Sequence, residues 1–192
     1  AVSASVDARA HPALPYNIYR LFTDRDGGLT DGVFYQLLPG DGTRNRLVII
    51  AKSPFEEWRR WEDTTTGRRG ADYIEVKAER ARQRLRDAEG IFGALTGLEL
   101  LDAYTPLTVR DWTGSPEGSP YGIMRSAGQL AATATLHRPA IAGLYFAGQN
   151  ALSPGIMGAM LGAFQVARQV IGAERFSREV LGRLRSGPSP ST

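Results

Sequence analysis

A long run without charge constrains this chain more than any other feature. No Asp, Glu, Lys or Arg occurs between Arg138 and Arg168, in a chain of which charged residues make up 22%. Within the run, the apolar and glycine pattern predicts a buried strand near residues 144–147, a tight loop at Gly148, and a buried helix from about residue 154 to 171.

The predicted helix has a start that leaves its backbone donors free. Ser153 and Pro154 suit the N-cap and the first helical position. The first turn, residues 154–157, contains no Asp or Glu, although unpaired N–H groups and the positive end of the helix dipole favour negative charge there. An electron-rich ligand could occupy this position.

Several interpretations of this helix remain open from the residues alone. A membrane span is disfavoured, because the apolar run extends for only about a dozen residues before Gln165, and spanning a bilayer takes roughly 20. Gly158 and Gly162 form a GxxxG pair, which in a soluble helix usually marks close packing against a sheet or another helix. A purely structural core helix and a ligand-binding helix both fit this periodicity.

The rest of the chain predicts strands followed by a long helix. Alternating apolar residues at 16–22, 33–38 and 47–51 are separated by turn clusters, which is typical of an antiparallel meander. Ser53-Pro54 predicts a short helix, and Asp72 with Glu75 predicts the capped start of a long amphipathic one. We expect a strand over residues 98–104, an ordered Gly/Pro-rich loop over 105–122, and a short helix over 173–184.

Composition excludes several classes of function. The 23 Lys and Arg residues nearly balance 20 Asp and Glu, so no basic surface for nucleic acid is indicated. The absence of cysteine excludes thiolate chemistry, and two histidines leave little for a metal site. Asp111 and Glu117 are possible acids or bases, but their spacing pairs them with no partner, so the catalytic residue remains unknown.

A set of motifs in the second half of the chain resembles one family of flavoproteins. Residues 143–163 are similar to the C-terminal flavin-binding signature of the phytoene desaturase, carotenoid isomerase and retinol saturase family, which is amine-oxidase-like. Upstream, at the spacing that this family shows, stand Thr105-Pro-Leu-Thr108, Trp112-Thr-Gly114, Glu117-Gly-Ser119 and Tyr121-Gly122. The resemblance extends from roughly residue 98 to 172 and implies an FAD-dependent oxidoreductase, of which this chain is the C-terminal portion.

The resemblance also implies a set of cofactor contacts. Gly148 and Gln149 would lie beside the ribityl and phosphate part of FAD, although many relatives carry an acidic residue at the position of Gln149. Gly155, Ile156, Met157 and Gly158 would lie at the pyrimidine edge of the isoalloxazine. A helix N-terminus there agrees with the negative charge that reduced flavin gathers around N1 and O2.

The resemblance further implies a fold, a substrate class and a division into domains. We expect an α+β or α/β chain with part of an FAD/NAD(P)-binding fold, an antiparallel substrate-domain sheet, and helices. The expected parts are a flexible N-terminus over 1–12, a substrate-domain portion over 13–125, the C-terminal part of the FAD-binding domain over 126–185, and a disordered tail over 186–192. Trp112, Tyr121 and Phe146 are candidates to line a channel for a lipophilic isoprenoid or polyene-like substrate, although aromatic residues more often serve the core.

One motif that a dinucleotide-binding fold needs is missing. No Gly-x-Gly-x-x-Gly turn occurs between a predicted strand and helix. We therefore expect an N-terminal dinucleotide-binding segment or chain as a partner. Separately, we expect a cytoplasmic protein, with membrane contact that is at most peripheral. The alternative is a non-catalytic binding or partner module that keeps this fold without redox activity.

Overall fold

The fold is described from a computed structural model, which covers residues 1–121, 128–129, 136–137 and 140–186. The chain forms two compact units, Ala1–Ser119 and Pro120–Thr192. The predicted disordered tail lies, beyond Ser186, outside the described residues.

A five-stranded antiparallel sheet organises the first unit. Its strands follow the order β2-β3-β4-β1-β5, so that the first strand of the chain lies between β4 and the last strand. Their bounds are β1 Val2–Asp7, β2 Ile18–Thr23, β3 Leu29–Leu38, β4 Arg44–Ala51 and β5 Glu99–Ala103. The predicted meander is confirmed as β2, β3 and β4, which pair in sequence order.

The N-terminal residues differ from the sequence expectation. Residues 1–12 were predicted to be flexible, yet Val2–Asp7 form a strand paired on both sides. Val2, Ala4 and Val6 alternate into the core and are almost fully buried. Their two-residue period is the signal of a half-buried strand, and it outweighs the small polar residues between them.

A long helix covers one face of this sheet. Helix α1, Gly70–Phe92, presents Ala81, Leu85 and Ala88 to the core side chains of the strands. Its N-terminus carries no side-chain cap, because Asp72 instead accepts a hydrogen bond of 2.9 Å from the indole of Trp61. The expected capping box at Asp72 is therefore wrong, although the long amphipathic helix is confirmed.

The opposite face of the sheet carries partly or fully exposed apolar side chains on β2, β3 and β4. Tyr19 on β2 and Phe34 on β3 are directly paired across the strands, with ring centroids 5.1 Å apart. Ile50 on β4 is the partner of Phe34 and is half exposed. These apolar side chains form a continuous patch because cross-strand partners point to the same face.

Two short helices stand beside α1 in the first unit. The 3-10 helix Phe55–Trp61 contributes Trp58 and Trp61 to a second core cluster with Tyr73 and Leu107. Helix α2, Pro106–Thr113, lies where a loop was expected over 105–122. A 3-10 turn, Pro116–Gly118, follows it.

In the second unit, the described residues from 155 to 186 are almost entirely helical, whereas residues 140–154 form turns and irregular structure. Helix α3, Gly155–Ile171, matches the predicted helix in position, but the prediction that it is buried is wrong, because Gly158 and Gly162 are its only buried residues. It is followed by α4 Ala173–Phe176, a π-helical turn Ser177–Leu181 and α5 Gly182–Ser186. Residues 144–147 form no strand, contrary to the sequence prediction, because a strand requires a hydrogen-bonded neighbour and none pairs with it among the described residues. Among those residues, every helix is too short or too polar to cross a bilayer.

The molecule is therefore mixed α+β with an antiparallel sheet, as expected. The partial FAD-binding fold remains a prediction.

Candidate functional site

The start of α3 in the second unit is open to solvent. Helix α3 begins after Pro154, and no side chain of the described residues caps its first turn. Ile156 and Met157 are 82% and 66% exposed, and no acidic residue occupies the turn. The positive end of the helix is thus not covered by the side chains of its own turn.

Two glycines shape the loop that leads into this helix. Gly148 and Gly155 have φ values of 86° and 85°, a region that residues with a side chain rarely adopt. A Cβ at either position would meet no atom of the described part of the chain within 4 Å. The side-chain directions of both residues therefore face open space, into which a ligand could approach the backbone closely.

The GxxxG pair holds this loop against the helix. A Cβ on Gly158 would lie 1.8 Å from the carbonyl oxygen of Ser153, and one on Gly162 would lie 2.6 Å from that of Gly148. The pair therefore packs against the preceding loop, whereas a sheet or another helix was expected. Both glycines position the loop from 148 to 153 over the first two turns of α3.

The other predicted residues of this unit lie at its surface. Gln149 is half-buried, and its amide nitrogen donates a long hydrogen bond of 3.5 Å to the carbonyl oxygen of Pro120. Tyr121 and Phe146 are 58% and 48% exposed. Both aromatic rings present apolar area to solvent and are not core residues within this unit.

A separate cavity of about 1040 Å³ lies within the first unit. Its walls are the loop before α1, the first two turns of α1, the end of β5 and helix α2. Trp112 lines it from α2 and is 78% exposed, and Ile74 and Tyr104 line it from α1 and the end of β5. Polar lining comes from Lys77 and Asp102, whose charged atoms are 3.4 Å apart.

An ion pair fixes the wall that carries Trp112. The guanidinium of Arg69 is 3% exposed and pairs with the carboxylate of Asp111, which is 15% exposed. The backbone and hydroxyl of Thr66 donate to the same carboxylate, at 2.7 and 2.9 Å. Partial burial raises the pKa of Asp111, but the hydrogen bonds from Thr66, Arg69 and Arg110 outweigh it and lower that pKa to about 2. Asp111 is thus ionised at neutral pH and is a structural anchor, not a proton donor.

Comparison with known proteins gives a consistent but distant similarity. The chain is 28% identical over 139 residues to the all-trans-retinol 13,14-reductase of Macaca fascicularis, 29% over 138 residues to that of Danio rerio, and 26% over 138 residues to that of Homo sapiens. These alignments cover 69–70% of this chain and 22–23% of the relatives. The matched region thus spans less than a quarter of their length. No protein-family model matches the sequence. No solved structure matches it either.

This similarity supports the retinol saturase part of the predicted resemblance, because a 13,14-reductase saturates a double bond of retinol. It does not test which residues contact a cofactor. The predicted cofactor contacts therefore remain predictions. The structure brings them together on one loop and one helical turn, as Gly148, Gln149, Gly155, Ile156, Met157 and Gly158.

Sequence reasoning missed most of the cavity in the first unit. Of its lining residues, Trp112 alone was predicted as a substrate contact. Ile74 is an apolar residue of the amphipathic helix α1, yet it is 65% exposed and lines the cavity. Lys77 and Asp102 lie on different elements, and nothing in their sequence separation indicated that they meet.

Proposed function

We propose that this chain is the C-terminal, flavin-facing part of an FAD-dependent oxidoreductase that acts on a lipophilic, isoprenoid or polyene-like substrate. The observation that carries the proposal is the open N-terminus of α3, with Ile156 and Met157 exposed and the backbone of Gly148 and Gly155 accessible beside it. The similarity to retinol reductases favours reduction over desaturation or isomerisation.

The residues present fit the pyrimidine edge of a flavin. Unpaired N–H groups of the first turn and the helix dipole stabilise negative charge near them. Reduced flavin gathers such charge around N1 and O2, and no acidic side chain of the turn opposes it. Gly155 and Gly158 would allow close backbone approach, while Ile156 and Met157 would supply apolar contact to the ring system.

The residues of this loop and helix have separate roles in the proposed reaction. When bound, a reduced flavin would supply a hydride to one carbon of the substrate double bond, and the other carbon would take a proton. Gly148 and Gln149 would hold the ribityl and phosphate part of the cofactor. Phe146 and Tyr121 would present their exposed rings to the apolar substrate and exclude water from it.

The chain needs a partner for this function. Because no Gly-x-Gly-x-x-Gly turn stands in the sequence, we propose that a dinucleotide-binding segment or chain holds the FAD pyrophosphate. The apolar surface of α3, with Met160 and Leu161 nearly half exposed, offers that partner a packing face. A lipophilic substrate would also bring the assembly into peripheral contact with a bilayer.

The test is a complex of this chain with the polypeptide that supplies the dinucleotide-binding motif. We expect the purified complex to show visible flavin absorbance. After reduction with dithionite, it should convert all-trans-retinol to a product carrying two additional hydrogen atoms, seen by mass spectrometry, while the flavin becomes oxidised. A colourless complex, or a yellow one that leaves every polyene substrate unchanged, would contradict the proposal.

A non-catalytic lipid-binding module is the second candidate. The observation that favours it is the cavity lined by Trp112, which lies wholly within the first unit and does not depend on a flavin. A stable, colourless chain that binds a polyene and forms no complex with a dinucleotide-binding chain would support this alternative.

A further inference from the structure

We propose that the cavity of the first unit selects a neutral lipophilic alcohol, with its hydrocarbon chain against Ile74 and Trp112 and its hydroxyl on the Lys77–Asp102 pair. The choice of a retinoid as the probe rests on the proposed function. The site itself is argued from the cavity and does not require a flavin.

The apolar part of the inference rests on exposed side chains. Trp112, Ile74 and Tyr104 are 78%, 65% and 47% exposed, and all three line the same cavity. Apolar surface of this extent gains free energy when a hydrocarbon covers it, in proportion to the area removed from water. A volume of about 1040 Å³ lies slightly above the roughly 300–1,000 Å³ usual for small-molecule pockets, so a ligand of retinoid size has room.

The charges at the cavity are already balanced. Lys77 pairs with Asp102 at 3.4 Å, and Arg69 pairs with Asp111. A carboxylate ligand would gain attraction from Lys77 but lose a similar amount to repulsion by Asp102. A neutral head group suffers no such repulsion, so the pair favours an alcohol over an acid.

An alcohol also matches the hydrogen-bonding capacity of the pair. The ammonium of Lys77 has donors only, and the ionised carboxylate of Asp102 has acceptors only. A hydroxyl can accept from the first and donate to the second. The two side chains are 31% and 50% exposed, so both remain within reach of a ligand in the cavity.

The first experiment measures binding to the full 192-residue chain. All-trans-retinol is titrated in the dark, and its fluorescence enhancement gives Kd. We expect Ile74→Glu to weaken binding by at least about tenfold, because it places a charge on the apolar wall. Val170→Glu, at an equally exposed helix position of the second unit, should leave Kd unchanged. Absence of retinol binding, or equal weakening by both variants, would overturn the proposal.

The second experiment tests the head group. The wild-type chain should bind all-trans-retinol more tightly than all-trans-retinoic acid. Asp102→Asn leaves Lys77 uncompensated and should reverse that preference, whereas Asp87→Asn, which removes a comparable ion pair with Arg84 at 3.3 Å, should not. If Asp102→Asn still prefers retinol to retinoic acid by the same factor, the Lys77–Asp102 pair does not select the head group.

These outcomes are independent of flavin chemistry. If the cavity variants fail to alter retinol binding while the flavin complex still reduces retinol, this inference is wrong and the proposed function stands. If retinol binds as expected but no flavin complex forms, the proposed function is wrong and the cavity assignment stands.

Discussion

Gly158 lies so close to Ser153 that a single added methyl group would collide with the carbonyl oxygen of that residue, at 1.8 Å. Gly162 stands in the same relation to Gly148, at 2.6 Å. The obstacles are backbone atoms, which cannot move aside as a flexible side chain would. The loop that carries the predicted cofactor contacts is therefore shaped by the absence of two side chains on α3.

Gly158→Ala should consequently destabilise the second unit. Overpacking of this kind costs about 1–3 kcal/mol, which exceeds the gain of about 1 kcal/mol that alanine brings to a helix interior. Hydrogen exchange of the amides in residues 148–162 measures the change locally. Gly90→Ala is the matched control, because its Cβ would meet only the end of the Arg20 side chain at 3.9 Å, and it should stabilise α1. Equal effects from both variants would contradict the packing described.

A charge at the open end of α3 should affect a bound flavin. In the complex with its dinucleotide-binding partner, Met157→Glu should weaken FAD binding about two- to fivefold, since a charge at the first turn is worth about 0.3–1 kcal/mol. It should also make the reduction potential more negative, because the reduced form carries the negative charge. Met157→Gln controls for shape, and Gln165→Glu, at an exposed position about two turns further along α3, should have a smaller effect. A potential that does not change would place the flavin elsewhere.

The pKa of Asp111 predicts a loss of stability in acid. Its value of about 2 in the folded chain lies below the ordinary 3.8, so the carboxylate contributes stability above pH 4 that is lost as the pH falls toward 2. After allowance for solvent screening, the contribution is about 1–2 kcal/mol. Asp111→Asn should flatten the pH dependence of urea unfolding in this window and destabilise the chain at pH 7, because it leaves the buried guanidinium of Arg69 without its charged partner. Glu79→Gln removes an exposed carboxylate and should change the profile little.

The sequence correctly predicted the elements whose apolar residues repeat with the period of a strand or a helix. The strands β2 to β4 and the helices α1 and α3 follow from apolar spacing within a single segment. Prediction from the sequence failed where an element depends on strands that are distant in the sequence. The apolar run at 144–147 matched a strand but has no neighbour, and β1 acquires its place only from β4 and β5.

The sequence of helix α2 contains a local helix signal, although a loop was predicted for this segment. Its side chains Thr105 and Thr108 form a reciprocal capping box, Pro106 occupies the first turn, and Gly114 ends the helix in the left-handed conformation. The Gly and Pro content of the segment predicted a loop, but these residues stand at the positions where they bound a helix. The cavity was beyond prediction because its walls come from residues 66–77, 102–104 and 108–113.

A buried hydrogen bond links this cap to α1 and gives a final prediction. The hydroxyls of Tyr73 and Thr105 are 2.8 Å apart and both residues are buried. In a double-mutant cycle with Tyr73→Phe and Thr105→Val, we expect a coupling free energy of about 1 kcal/mol in urea unfolding, since each single variant breaks the same buried hydrogen bond.

A matched cycle separates this bond from general destabilisation. Tyr73→Phe combined with Thr30→Val, on the β2–β3 hairpin, should be additive within about 0.5 kcal/mol. Thr105→Val should also weaken retinol binding, because the cap holds the start of α2 and so the position of Trp112. Additivity of the Tyr73 and Thr105 changes would mean that the two hydroxyls do not stabilise each other.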